Sequence, residues 1–210
     1  MKPARARPSI PRPVPRDSEY ADRKRQILDN ARVVFTRYGY RKTTIEDIGR
    51  ACGLGKAALY HYFSGKQEIF AEIVRDETGR LLAKIREAVD AARDPRAKLV
   101  AALTTSFKAA SDRIAELVEQ KSAAELKAQL PLAARNLQRF LDEEVAILRE
   151  ILDEGARKGV FKKINSPSAP LLIIAGLRGV QLHLLDAENP PKLDDAIDAL
   201  MKIFLEGICR

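Results

Sequence analysis

The stretch of sequence that decides the fold lies at residues 44–63 and reads TIEDIGRACGLGKAALYHYF. It contains two short helical segments joined by a glycine-containing turn, which is the pattern of a helix-turn-helix. Gly49 provides a small residue where the second helix crosses the first, and Gly53 tolerates the positive φ that the turn requires. The apolar residues expected to face the partner helix and the core are Ile48, Cys52, Leu54, Leu59 and Tyr62. Together these positions predict a bihelical unit.

Signals at the ends of the two segments predict the bounds of their helices. Thr44 is expected to cap a helix that runs to Ala51, and Asp47, three residues later, forms a variant of the capping box. The next helix is predicted at residues 56–62, after which Ser64 and Gly65 break the chain.

The rest of the chain also has helical patterning and no credible strand pairs. A first helix is predicted from its cap, Ser18, to Gly39, with apolar residues at helical spacing along one side. Proline and glycine breaks divide the remainder into further helices, at about residues 66–92, 95–119, 122–128, 131–155, 167–186 and 193–207. We therefore predict an all-α fold of about nine helices.

These breaks and a shift in composition divide the chain into three parts. Residues 1–17 carry five prolines and five Lys or Arg residues, so they are predicted to be an extended, disordered basic arm. Residues 18–65 form the bihelical unit with its first helix, which we call the head, and residues 66–210 form a helical bundle, which we call the body. The arm is either a solvated tail or a segment that contacts DNA phosphates or the minor groove.

The excess positive charge of the chain lies in its N-terminal third. Residues 1–66 contain 15 Lys or Arg and 6 Asp or Glu, whereas the remaining residues contain 22 and 23. A basic region of this kind predicts a polyanionic partner, either nucleic acid or a membrane surface.

Five groups of residues in and around the bihelical unit occur in a characteristic order. They are ILDNA at 27–31, Phe35, GYRKTTIEDI at 39–48, GLGKAALYHYF at 53–63, and Lys66. This combination closely resembles the TetR family of bacterial transcriptional regulators, over about residues 22–70. The resemblance implies an all-α homodimer, in which a three-helix DNA-binding head is joined through the fourth helix to a body that binds a ligand and dimerises.

The second helix of the bihelical unit is the candidate recognition helix, since the first turn of such a helix enters the major groove. Lys56 can reach a guanine edge or a phosphate, whereas Ala57 and Ala58 offer only methyl contacts. Tyr60 and His61 have polar tips that suit phosphates. A core position for Tyr60 and a solvated imidazole for His61 remain alternatives.

Two further phosphate contacts are candidates. Thr44 lies at a helix N-terminus, where the helix dipole favours an anion. Lys66 matches a phosphate contact of the resembled family. The chain contains only two histidines, His61 and His183, so a histidine-based metal site has little material, and we expect no metal or cofactor.

The amphipathic helices of the body are long enough to enclose a cavity for a small apolar or amphipathic ligand. The candidate wall residues are Leu82, Leu103, Phe107, Phe140 and Leu148. Each of them is alternatively an ordinary core residue. The candidate polar residues of such a cavity are Ser106, Asn136 and His183, and each has a surface or locally satisfied position as its alternative.

A homodimer is predicted to form through two helices near the C-terminus. Small residues at helical spacing, Gly176 and Gly179 among them, permit helices to approach closely. The candidate interface residues are Leu177, Val180, Leu184, Leu200 and Phe204. Packing of these side chains within one subunit is the alternative.

Other function classes find little support in the sequence. The sequence contains no Gly-x-Ser-x-Gly, phosphate loop, Cys-x-x-Cys or His-Glu-x-x-His. The adjacent acidic pairs Glu143–Glu144 and Asp194–Asp195 are interpreted as solvated faces. A basic membrane anchor at the N-terminus lacks an apolar insertion face, and the longest apolar run is far shorter than the roughly 20 residues of a membrane span.

We therefore predict a cytoplasmic, non-enzymatic, dimeric regulator that binds double-stranded DNA at a palindromic operator. A repressor released by a small-molecule ligand is the preferred form. An activator of the same fold, or a DNA-binding protein that needs no ligand, is the alternative. The two cysteines, Cys52 and Cys209, form no disulfide scaffold, which suits a reducing cytosol.

Overall fold

The computed structural model describes residues 17–119, 123–162, 167–186 and 193–209. Within these ranges the chain forms eight α-helices and no β-strand, apart from one isolated bridge between Phe161 and Cys209. The helices are α1 (Asp17–Tyr38), α2 (Ile45–Ala51), α3 (Lys56–Tyr60), α4 (Lys66–Asp90), α5 (Pro95–Glu119), α6 (Ala123–Arg157), α7 (Ala169–Asp186) and α8 (Leu193–Ile208). The predicted all-α class is confirmed.

The predicted helix bounds agree with the structure at most ends. α2 ends at Ala51 and α5 begins at Pro95, as the end signals predict. α1 begins at Asp17, so Ser18 lies within its first turn and does not cap it. α3 ends at Tyr60, two residues earlier than predicted.

The predicted division of the segment from 122 to 155 into two helices is wrong. α6 is a single helix of 35 residues, and it passes through Pro131. A proline inside a helix removes one N–H and opposes the helix by about 3 kcal/mol. The turns that follow bury Phe140, Ile147 and Ile151 in the body. The burial of this apolar face stabilises one continuous helix despite the proline.

The buried apolar side chains form two separate clusters. The head core is built by α1, α2, α3 and the first turns of α4, and includes Ile27, Ile48, Leu59, Phe63, Ile69, Phe70 and Ile73. The body core is built by α4 to α8, and includes Ile85, Leu99, Leu103, Phe107, Phe140, Leu148, Phe161 and Leu177. The head core therefore extends into α4 beyond residue 65, where the sequence places the domain boundary.

α4 is the helix shared by the two cores, and ion pairs fix its first half to the head. Arg32 of α1 pairs with Asp76 at 3.1 Å and with Glu77 at 3.2 Å. These bonds join the two helices at a point between the head core and the body core.

α6 also reaches the head. The Asn136 amide donates to the carbonyl of Ala71 in α4 at 2.6 Å, and Leu137 packs against the head core. This hydrogen bond joins α6 to the backbone of α4 close to the head.

Candidate functional site

The helix-turn-helix forms as predicted, and its two glycines have distinct roles. Gly53 has φ of 64°, a conformation that L side chains rarely adopt. At Gly49, an added Cβ would lie 2.7 Å from the carbonyl oxygen of Leu54, and the Leu54 N–H donates to the Gly49 carbonyl at 2.8 Å. The close approach at Gly49 is thus with the backbone of the turn, whereas the sequence had suggested the second helix.

Thr44 caps α2 through a complete capping box. Its hydroxyl accepts the Asp47 N–H at 3.2 Å and donates to the Asp47 carboxylate at 2.7 Å, while its N–H donates to the same carboxylate at 2.9 Å. These two donors hold the pKa of Asp47 below its ordinary value, the hydroxyl bond being the larger cause. The Thr44 hydroxyl proton therefore points to Asp47, and a phosphate contact through it requires that bond to open.

α3 presents most of its residues to solvent and so forms an exposed face. Lys56, Ala57 and His61 are exposed, Ala58 is half-buried, and Leu59 is buried in the head core. Tyr60 is 48% exposed, which places its side chain outside the core. The exposed residues are the ones that the sequence predicts as DNA contacts.

Aromatic contacts hold the C-terminal end of α3. The ring of Tyr20 in α1 stacks on Tyr62 with centroids 4.9 Å apart, and its hydroxyl donates to the carbonyl of His61 at 3.2 Å. Tyr20 is not among the residues predicted from the sequence, because an aromatic residue in the first turn of a helix gives no sign of a partner 41 residues away.

Lys56 forms an ion pair across the turn. Its Nζ lies 2.5 Å from Oε1 of Glu46, and both side chains are about half exposed, at 54% and 48%. The hydrogen bond from Lys56 lowers the pKa of Glu46, and the same bond raises the pKa of Lys56. Lys56 therefore has the carboxylate of Glu46 beside its ammonium, on the face that is predicted to contact DNA.

Lys66, for which the family resemblance implies a phosphate contact, bonds backbone carbonyl oxygens of its own chain. Its Nζ donates to the carbonyl oxygens of Tyr40 at 2.9 Å, Thr43 at 2.8 Å and Arg41 at 3.5 Å. The ammonium also lies 4.5 Å from the centroid of the Tyr40 ring. The two short bonds, to Tyr40 and Thr43, are the strong ones.

The predicted ligand-wall residues lie in the body core. Leu103, Phe107, Phe140 and Leu148 are buried, and Leu82 is half-buried against them. Two surface clefts, of about 510 and 280 Å³, are lined by other residues. The larger one follows α5 along Asp94, Arg96, Ala97, Val100, Ala101, Thr104 and Thr105. The five wall residues therefore stay a prediction.

A buried polar cluster joins α5, α6 and α7 inside the body. Glu144 is 3% exposed and accepts a hydrogen bond from the hydroxyl of Ser106, which is 4% exposed. Nη2 of Arg178 lies 3.1 Å from Oε2 of Glu144 and 3.2 Å from Oγ of Ser106. The interpretation of Glu144 as part of a solvated face is wrong, whereas its neighbour Glu143 is exposed.

α7 and α8 offer an apolar surface. Leu172 is 65% exposed and Ile203 is 68% exposed. Among the predicted interface residues, Leu177 is buried in the body core, and Val180 and Phe204 are half-buried against that core. The side chains of Leu184 and Leu200 lie outside the described residues, as do residues 1–16 of the arm.

The described residues lack two features that would indicate other functions. None of the described helices is long and apolar enough to cross a membrane. Among the same residues, no group of three or more His, Cys, Asp or Glu side chains is placed to hold a metal ion.

Comparisons with known proteins agree with this geometry. The model for "Bacterial regulatory proteins, tetR family" matches residues 27–73. The HTH-type transcriptional repressor KstR2 of Mycolicibacterium smegmatis is 30% identical over 197 residues, which are 92% of this chain and 94% of that protein. The HTH-type transcriptional repressor Rv1474c of Mycobacterium tuberculosis is 39% identical over 67 residues, only 32% of this chain and 36% of that repressor.

A solved structure has the same fold over most of the chain. The TetR transcription regulator from Haloarcula marismortui superposes with a TM-score of 0.74 at 16% identity, covering 90% of this chain and 100% of that one. The match to Rv1474c is confined to about a third of the chain, whereas KstR2 and this structure extend over both the head and the body.

Proposed function

Because the chain belongs to the TetR family of bacterial regulatory proteins, we propose that it is a transcriptional repressor that leaves its operator when a small molecule binds the body. The family binds DNA operators as dimers and is not enzymatic, so DNA-binding regulation is the established part of this function. The observation that carries the repressor assignment is the similarity to the repressor KstR2 over 92% of the chain. We place the protein in the cytoplasm, where its DNA lies.

The exposed face of α3 is the proposed DNA-reading surface. Its first turn, with Lys56, Ala57 and Ala58, is proposed to enter the major groove, and Tyr60 and His61 to contact phosphates. The exposure of Lys56, Ala57, Tyr60 and His61 supports this assignment.

For the body, whose core is apolar, we propose a small apolar or amphipathic ligand. Ser106, Glu144 and Arg178 bond one another in this body, at the place where α5, α6 and α7 meet. We propose that the ligand acts by shifting these helices, and that α4 transmits the shift to the head. Two recognition helices bind adjacent half-sites only when they lie about 34–36 Å apart, so a small tilt of α4 is enough to release DNA.

The salt dependence of binding tests this proposal. A duplex selected from random sequence is titrated with the protein at several salt concentrations. If each subunit makes about four phosphate contacts, the log–log slope for the dimer is expected to be roughly −6 to −8. The selected duplex is expected to compete far better than an unrelated duplex, and equal affinity for both would contradict operator recognition.

Replacing Lys56 by Ala is expected to weaken binding to the selected duplex by about 1–3 kcal/mol and to relax preference at one base pair. The reason is the exposed position of its ammonium at the start of α3. Affinities for the duplex and its single-base variants measure the effect. Tyr60→Phe is the control, since loss of a phosphate contact weakens all sequences alike. The same uniform weakening by Lys56→Ala would reassign Lys56 to a phosphate.

A second control separates Lys56 from its ion-pair partner. Glu46→Gln removes a negative charge beside the DNA-reading face and leaves Lys56 in place. We expect it to raise affinity for all duplexes, because it removes repulsion from the phosphates. A loss of sequence preference in Glu46→Gln would show that Glu46 orients Lys56 for reading.

A further inference from the structure

In the loop between α1 and α2, residues 39–44, the carbonyl oxygens of Tyr40, Arg41 and Thr43 converge on one point. We call these three oxygens the carbonyl ring. Gly39 has φ of 78°, and its own carbonyl accepts both the N–H of Thr43 at 3.2 Å and the hydroxyl of Thr43 at 2.8 Å. Thr43 is 1% exposed, so this turn is fixed within the head. The folded loop leaves the carbonyls of Tyr40 and Thr43 to bond the ammonium of Lys66.

The partner of this ring comes from the other end of the head. Lys66 is the first residue of α4, and it is separated from its three carbonyl partners by 23 to 26 positions in the chain. Thr44, the cap of α2, directly follows the ring. The ammonium therefore bonds the start of α4 to the segment that positions the start of α2.

We propose that Lys66 is a positioning residue that makes α4 and the helix-turn-helix move as one unit. Its ammonium makes two short bonds, to the carbonyl oxygens of Tyr40 and Thr43, and both acceptors lie in the loop that precedes α2. This inference rests on the proposed function only for the statement that movement of α4 releases DNA. A tilt of α4 is then transmitted to α2 in two ways. One is the packing of the head core, and the other is the Lys66 side chain bonded to the loop of residues 39–44.

Lys66→Met tests the proposal, with Lys42→Met as its matched control. Lys42 is an exposed lysine of the same loop, so both variants lose one positive charge from one region, and only the first loses the carbonyl contacts. Two properties are measured for each full-length variant: the salt slope of binding to the duplex selected by the unmodified protein, and amide hydrogen exchange. Binding by the unmodified protein is established first, so that a failure of operator recognition is seen separately.

For Lys66→Met we expect a loss of affinity of roughly 10-fold or more at every salt concentration, larger than the loss in Lys42→Met, which removes the same charge. Exchange of the Ile48 N–H, which bonds the Thr44 carbonyl at the start of α2, is expected to accelerate about 10-fold. Amides in the middle of α6 are expected to keep their rates. Lys42→Met is expected to leave the exchange of Ile48 unchanged.

Three results would overturn the proposal. A slope less steep by about 2 for the dimer, with exchange at Ile48 unchanged, would show that Lys66 contacts phosphate, since each lost contact changes the slope by about 0.9. Equal acceleration in α2 and α6 would reduce the role of Lys66 to general stability. Unchanged affinity and unchanged exchange would show that the carbonyl contacts position nothing.

Discussion

Replacing Ile203 by Asp is expected to convert the dimer to monomers at micromolar concentration. Ile203 is 68% exposed on α8, and Leu172 is 65% exposed on α7, so these helices carry an apolar surface that a second copy is proposed to cover. In a two-fold dimer each substitution occurs twice, and each places an unpaired carboxylate in an apolar contact. We expect the dimer Kd to rise by about 10³-fold or more, which is about 4 kcal/mol. Analytical ultracentrifugation measures it.

Val33→Asp is the matched control for this substitution. Val33 is 66% exposed on α1, so it differs from Ile203 mainly in its place on the molecule. It is expected to leave the sedimentation coefficient unchanged. A dimer that persists in Ile203→Asp and in Leu172→Asp would show that the subunits meet through another surface.

Replacing Glu144 by Ala is expected to lower the free energy of unfolding by about 3 kcal/mol. Glu144 is 3% exposed, and it accepts hydrogen bonds from both Ser106 and Arg178. Removal of one partner of a buried ion pair costs about 3–5 kcal/mol, and the lower end applies because the Arg178 side chain is 30% exposed. Urea unfolding of the free protein measures the change.

The neighbouring residue provides the control. Glu143 pairs with Arg86 at the surface, where the two side chains are 53% and 52% exposed, so Glu143→Ala is expected to change stability by less than about 1 kcal/mol. Glu144→Gln keeps the shape of the side chain and removes its charge. Its free energy of unfolding is expected to lie between those of the two alanine variants. Equal stability of Glu143→Ala and Glu144→Ala would contradict the buried position of Glu144.

The sequence predicts the parts of this fold that local chemistry determines. The capping box of Thr44 and Asp47 and the start of α5 at Pro95 involve residues a few positions apart, and they form as predicted. The break expected at Pro131 does not occur, because it competes with the burial of Phe140 and residues after it. A local stop signal was overridden there by tertiary packing.

One buried polar residue was missed although a signal for it existed. Glu144 lies four residues after Phe140 and three before Ile147, which is the helical spacing of the buried stripe of α6. Its position on that stripe indicates burial, whereas the adjacent pair with Glu143 suggests a solvated face. The periodicity was the better guide, because neighbouring residues on a helix point in different directions.

Sequence patterns could not predict the carbonyl contacts of Lys66. Its partners are backbone carbonyls, which every residue has, and their convergence depends on the positive φ of Gly39 and on the turn around Thr43. Family resemblance predicts a phosphate contact for a lysine at this position, but the folded loop determines which acceptors surround it.

The central claim is that the heads of two subunits bind the two half-sites of one operator. Its most direct test is selection from random duplex DNA, followed by measurement of the stoichiometry of the complex. We predict an enriched inverted repeat whose half-site centres lie about 34–36 Å apart, bound by two chains per duplex in a single cooperative step. A duplex with one half-site is expected to bind far more weakly. Absence of any enriched sequence, or equal affinity of one chain for a single half-site, would contradict it.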